Sequence, residues 1–151
     1  MVYKRILVPV DGSPTSMAGL REALRLAKNQ KAKVRLINIV DELMIFSSSE
    51  AGLNIEPIIE SMKRAGKRVL GRATKLAAAQ GIRSETELWE NATGRVAEVL
   101  IGRAKRWRAD LIVMGTHGRR GVNRLMLGSD AELVVRNSPV PVLLVRSSRR
   151  G

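Results

Sequence analysis

The segment Gly115-Thr116-His117-Gly118-Arg119-Arg120-Gly121-Val122-Asn123-Arg124-Leu125-Met126-Leu127-Gly128-Ser129 gathers the residue types that can hold an anion. Glycines tolerate positive φ and let backbone N–H groups come close to a ligand, and a helix beginning at Ser129 would add free N–H groups and a favourable dipole. A phosphate fits that description. Ser129 contributes a hydroxyl, and Arg119, Arg120 and Arg124 contribute charge. A second polar cluster, Asp11-Gly12-Ser13, follows the apolar run Ile6–Val10. Asp before Gly is a common turn former, and at the end of a strand its carboxylate is also placed to meet a ligand.

Other chemistry is excluded or weakly supported. Cysteine is absent and His117 is the single histidine, which removes disulfides, thiolate metal sites and cysteine nucleophiles and disfavours a histidine metal site. No carboxylate pair for magnesium accompanies the glycine segment, and Asp11 and His117 are the only candidate bases, so no catalytic and no metal residues are assigned. Each site residue also has a plain structural role. Ser129 with Glu132 reads as a capping box, S-x-x-E. Asp130 is expected to offer its N–H rather than its carboxylate to an anion, and Met114 and Met126 are expected to line a core or a pocket. Valine at Gly118 or Gly128 is expected to fill phosphate space while leaving the fold intact.

These residues must be positioned by regular elements, and apolar strands alternate with amphipathic helices along the chain. Ile6–Val10 is a strand; Ser13 caps a helix with Pro14 at its first position, and Met17, Leu20, Ala23, Leu24 and Ala27 form its inner stripe. Val34–Val40 is a second strand, interrupted by Arg35 and Asn38. Residues 41–55 show no clean period and read as a loop. Pro57 opens a long helix with Ile58, Met62, Ala65, Val69, Ala73, Leu76 and Ala77 on one stripe and Gly81 as its stop. Ile82–Leu88 is polar and alternating, as at a sheet edge; Asn91 or Thr93 caps a further helix; Leu111–Met114 is a central strand; and Pro141–Val145 closes the chain. Strict alternation implies parallel strands with right-handed crossovers, hence an α/β doubly wound five-stranded sheet with helices on both faces. With 151 residues, 44% hydrophobic, the whole chain, 1–151, is read as one domain. Ligands in such sheets sit where the strand order reverses, here between the first and fourth strands, which end at Asp11 and Gly115.

The charge is unusual: 27 Lys and Arg against 14 Asp and Glu give +13. The bases are spread along the chain, and aromatics amount to 3%, too few to interleave for base stacking, so a solvated basic surface is favoured over nucleic-acid binding. Neither G-x-G-x-x-G after the first strand nor G-x-x-x-x-G-K-[ST] anywhere is present. The N-terminus carries no signal-peptide pattern and no run of about 18 apolar residues occurs, so a cytoplasmic protein without membrane association is expected.

The glycine segment does resemble the universal stress protein pattern G-x2-G-x9-G-[ST], with Gly115, Gly118, Gly128 and Ser129 in register. Ile6-Leu7-Val8-Pro9-Val10-Asp11-Gly12-Ser13 is similar to that family's opening strand and turn, and Pro139–Val145 to its closing strand. The resemblance implies a Rossmann-like, adenine nucleotide alpha hydrolase-like fold of strand order 3-2-1-4-5. It also implies an ATP site, with magnesium as an optional companion. Main-chain groups at Val10 and Ile39, beside Pro9, would hold the adenine; Asp11 would approach the ribose or adenine side; Met114 would line the base. Gly115, His117, Gly118, Arg119, Gly128, Ser129 and Asp130 would surround ribose and phosphates. Asn38-Ile39 stands where many relatives carry His-Val. The implied function is a nucleotide-dependent regulatory or stress-response module with at most slow ATP hydrolysis, as a homodimer joined through Val140–Val145. An ATP-using enzyme on a related fold and a basic nucleic-acid-binding protein are the alternatives.

Overall fold

The computed structural model describes residues 3–91, 94–117 and 127–147. Its elements run β1 (Arg5–Pro9), α1 (Pro14–Gln30), β2 (Lys33–Asp41), α2 (Glu42–Ser48), α3 (Glu56–Ala79), β3 (Ser84–Asn91), α4 (Val96–Trp107), β4 (Leu111–Gly115), α5 (Ser129–Asn137) and β5 (Val142–Val145). The five strands form one parallel sheet in the order β3-β2-β1-β4-β5, the α/β arrangement expected from the alternation.

The pleat of the strands divides the core into two layers. Ile6, Val8, Val34, Leu36, Leu111 and Val113 face α1 and α3, where Leu20, Leu24, Val69 and Ala73 meet them. Leu7, Ile37, Ile112 and Met114 face α4 and α5, where Leu100, Ala104, Trp107 and Val134 meet them. Arg35 and Asn38, the two polar residues that interrupt the apolar run of β2, are satisfied within this frame. Arg35 stacks on the Trp107 ring at 4.9 Å, with Arg5 over the same ring at 4.6 Å, and pairs with Glu85 and Glu87. Asn38 is buried, and its amide donates to the Val10 carbonyl at 2.8 Å.

Start and stop signals act as the sequence predicts at α1, where the Ser13 hydroxyl accepts from Ser16 N–H and Pro14 opens the helix. At the end of α3, Gly81 follows with φ +75°. Other features differ from expectation. The 41–55 loop contains α2, started by the Asp41 carboxylate accepting from Met44 N–H. It buries only Ile45, so no period betrays it in the sequence. Hydroxyls of Ser48 and Ser49 bond back to the Met44 and Ile45 carbonyls at its end. β3 begins and ends later than Ile82–Leu88 because β2 offers it partners as far as Asp41. Arg95, not Asn91, is the N-cap of α4: Gly94 at φ +86° turns the chain there, and Asn91 instead donates to the Gly94 carbonyl. Thr93 lies outside the described residues. On α3, Ile58 and Leu76 are exposed, since the helical period turns both to the flank of the buried stripe, which is Gly66, Val69, Leu70, Ala73 and Ala77.

Candidate functional site

At the carboxyl ends of the strands, where the order reverses between β1 and β4, the described residues enclose a cavity of about 260 Å³. That is close to the lower end of small-molecule pockets, roughly 300 Å³. Its floor is the ends of β1, β2 and β4: Pro9, Val10 and Asp11; Ile37, Ile39 and Asp41; Met114 to His117. Its walls are Met44 of α2, Met62 of α3, the first turn of α4 with Val96 and Ala97, and the start of α5 from Gly128 to Ala131. The apolar side chains and the polar termini together make a site with a greasy half and a hydrogen-bonding half.

The main chain of β1 and β2 differs in what it leaves open. Val10 N–H donates to the Ile37 carbonyl at 2.9 Å, and the Val10 carbonyl holds the Asn38 amide. Val10 is thus committed to the sheet. The bond places Ile37 with its main-chain groups toward β1. Two residues on, Ile39 turns the same way, beyond the last β1–β2 pair, Pro9 with Ile37.

Asp11 has the turn role its type suggests: its carboxylate accepts from Ser13 N–H at 2.8 Å, while its own N–H donates to the Ser16 hydroxyl. That hydroxyl in turn bonds to the Ser13 carbonyl. Asp11 is therefore held at the cavity floor by the same small network that caps α1. His117 is tied on two sides, its carbonyl accepting from the Thr15 hydroxyl and its Nδ1 lying 3.1 Å from Thr116 Oγ1.

The glycines at 115 and 128 are required for a different reason than backbone sign. Neither has positive φ; among the described residues the glycines that do are 12, 52, 81 and 94. A Cβ on Gly115 would stand 2.6 Å from the Thr15 carbonyl carbon and 2.9 Å from Ser16 N, so the end of β4 lies directly against the first turn of α1. Gly19, one turn further along α1, lies against the same strand end, its Cβ position 3.2 Å from Gly115 N. A Cβ on Gly128 would meet the Thr116 carbonyl oxygen at 3.0 Å and His117 Cα at 3.4 Å. Gly128 N–H donates to that Thr116 carbonyl, closing the two ends of the 116–128 segment on each other. A side chain there therefore presses on this closure as well as on the space beside it. Gly118 and Arg119 lie outside the described residues, as do Arg120, Arg124 and Met126.

The capping box also fails to form. α5 takes Gly128 as its N-cap, with no side-chain cap, and Ser129 is the first helical residue. Glu132 N–H returns to the Gly128 carbonyl, and the Glu132 side chain pairs with Arg136 instead. Ser129, Asp130 and Ala131 therefore form the first turn of α5 at the cavity wall. Such an end favours an anion. Of the twelve residues singled out from the sequence, the ten described ones all line this cavity. The sequence reading missed Ser16, Asp41, Met44, Met62 and the α4 entrance, because those residues arrive from elements whose placement only the tertiary fold decides.

Comparison with known proteins agrees with this frame. The family model described as the universal stress protein family matches residues 2–146. A universal stress protein of Methanocaldococcus jannaschii is 37% identical over 149 residues, covering 99% of this chain and 85% of the relative. The structure of the universal stress protein UspA from Lactobacillus plantarum superposes with a TM-score of 0.80 at 26% identity, covering 97% of this chain and 99% of the other. A crystal structure of a universal stress protein in complex with cAMP superposes with a TM-score of 0.66 at 25% identity, covering 98% and 100%. The chain belongs to the universal stress protein family.

Proposed function

We propose that this member of the family binds ATP in the cavity at the switch point and works as a nucleotide-dependent regulatory module with at most slow hydrolysis. The observation that carries the reading is the start of α5, Gly128 to Ala131, which forms the wall of a cavity whose opposite floor is the end of β2. An anionic group at one end and a flat apolar group at the other is the chemistry of a nucleotide, and the cAMP complex of a relative supports an adenine nucleotide as the class.

In this reading Ile39 supplies the main-chain contacts to the adenine edge, with Pro9, Val10 and Met114 packing on the base. Asp11 faces the ribose. Gly115 and His117 hold the near side of the phosphates, and Gly128, Ser129 and Asp130 receive them at the helix start, with Gly118 and Arg119 as further contacts. Magnesium, when present, arrives on the phosphates. The protein works in the cytoplasm as a homodimer through the edge strand β5 and its approach, Val140–Val145. Hydrolysis is slow because the two candidate bases are engaged in structural contacts: the Asp11 carboxylate with Ser13 N–H, and His117 Nδ1 with Thr116 Oγ1. Titration calorimetry with ATP, together with mass spectrometry of gently purified protein, tests the reading. Bound adenine nucleotide and a one-to-one isotherm are expected. No binding of ATP, ADP or AMP overturns it, and rapid single-turnover cleavage lost in Asp11→Ala replaces the module with an enzyme.

A further inference from the structure

The bases that look scattered along the sequence are gathered by one helix. From Ser61 to Ser84 the chain holds seven Lys and Arg and no acid, whereas from Leu36 to Met62 it holds five acids and no base. Within α3, Arg64, Lys67, Arg68, Arg72 and Lys75 are exposed or largely so. At 3.6 residues per turn they fall within an arc of about 140°, opposite the buried stripe of Gly66, Val69, Leu70, Ala73 and Ala77. The charge therefore points straight away from the sheet. α1 lies on the same face and adds exposed Arg21 and Lys28. Among the described residues, the ion pairs on this face are Arg25 with Glu22 and Lys63 with Glu60 and Glu90, which leaves the five-residue stripe outside them.

We infer that the outer face of α3 and α1 is a docking surface for the phosphate backbone of a nucleic-acid duplex, read without sequence preference. The stripe from Arg64 to Lys75 is about 16 Å long at 1.5 Å per residue. A duplex presents roughly ten phosphate charges over that length. Single strands are disfavoured as occupant because neither α1 nor α3 carries an aromatic side chain to stack a base. A membrane surface is disfavoured because Leu76 is the only large hydrophobic exposed between residues 61 and 84, too little to seat a helix among acyl chains. The proposal does not depend on the nucleotide cavity, which lies at the other end of α3 beyond Met62.

The test is fluorescence anisotropy of the full chain with an arbitrary duplex of about 20 base pairs, from about 50 to about 200 mM NaCl, since phosphate contacts reveal themselves in the salt slope. Arg68→Gln/Arg72→Gln removes two charges from the stripe. Lys105→Gln/Arg106→Gln removes two from exposed positions of α4, on the opposite face. The stripe variant is expected to lower the salt slope by about two and to weaken binding at least about tenfold at 0.1 M salt. The α4 variant is expected to retain the wild-type slope. Equal losses in both variants overturn the face in favour of bulk charge. Absence of duplex binding at low salt overturns the surface altogether, as does binding to phosphatidylserine vesicles without binding to duplex.

Discussion

Ser129 separates a helix start that merely begins from one that serves a ligand. As the first residue of α5 it tolerates proline, and Gly128 before it already has the extended backbone, φ −60° and ψ 147°, that proline demands of its predecessor. Ser129→Pro should therefore keep the fold while deleting one N–H and one hydroxyl from the cavity wall. A hydrogen bond to a charged group is worth about 1.5–3 kcal/mol, so ATP affinity should fall roughly 10- to 100-fold in calorimetry, with the urea midpoint unchanged. An unaltered affinity would remove α5 from the site. Gly115→Ala has the opposite signature. Its methyl meets Thr15 and Ser16 backbone, which cannot swing aside, so about 1–3 kcal/mol of stability should be lost in urea unfolding. The glycine pattern that points to phosphate in the sequence is thus in part a packing requirement between β4 and α1.

At the scale of elements, α3 reaches the sheet through Gly66. A Cβ there would lie 2.3 Å from Asn38 Oδ1 and 2.9 Å from Leu88 Cδ1, so helix, second strand and third strand interlock at one point. Gly66→Ala should cost about 1–3 kcal/mol by overpacking. Asn38→Ala should cost about 1–3 kcal/mol by leaving the Val10 carbonyl without its buried donor. Because the Asn38 side chain is both the donor and the obstacle, the double variant should be more stable than the sum of the two losses predicts. Strict additivity in a double-mutant cycle would show that the contact does not exist. Asn38 looks in the sequence like a blemish in an apolar strand. The fold makes it the tie between the end of β1 and the strand that bears Ile39. α2 shows the converse, since a seven-residue helix with one buried side chain has too few turns to leave a period.

For the whole molecule, charge sets the response to acid. The carboxyls of Glu22, Glu85 and Glu90 are held below their ordinary value of 4.5 by hydrogen bonds from Arg25, Arg35 and Lys63 respectively. A carboxyl whose folded value is depressed stabilises the fold above its unfolded value and loses that contribution as pH falls through the folded one. Stability should be level from neutrality to about pH 4.5 and decline below it. Protonation also removes negative charge from a chain already at +13, so repulsion acts in the same direction. These pairs are largely exposed and each is weak, so the decline should be gradual in urea midpoints taken between pH 6 and pH 3. A midpoint that rises on acidification would contradict the assignment. No helix among the described residues is long and apolar enough to cross a membrane.

Alternation of apolar strands with amphipathic helices, together with the two landmarks at Asp11 and Gly115, was enough by itself to determine the parallel sheet and the place of its crevice. Handed crossovers and the strand twist leave few other topologies for that order of elements. Local signals such as Ser13 before Pro14, or Gly81 after a long helix, were legible for the same reason: their partners lie within a turn. What only the tertiary structure decided involves residues far apart in the chain. Gly115 is set by Thr15, Asn38 by Val10 and Gly66, and the cavity walls by α2, α3 and α4. The same holds for the basic face, where helical periodicity and the packing of α1 beside α3 turn dispersed charges into one surface. Spacing along the chain records neighbours within an element, and contact across elements is decided only when the core closes.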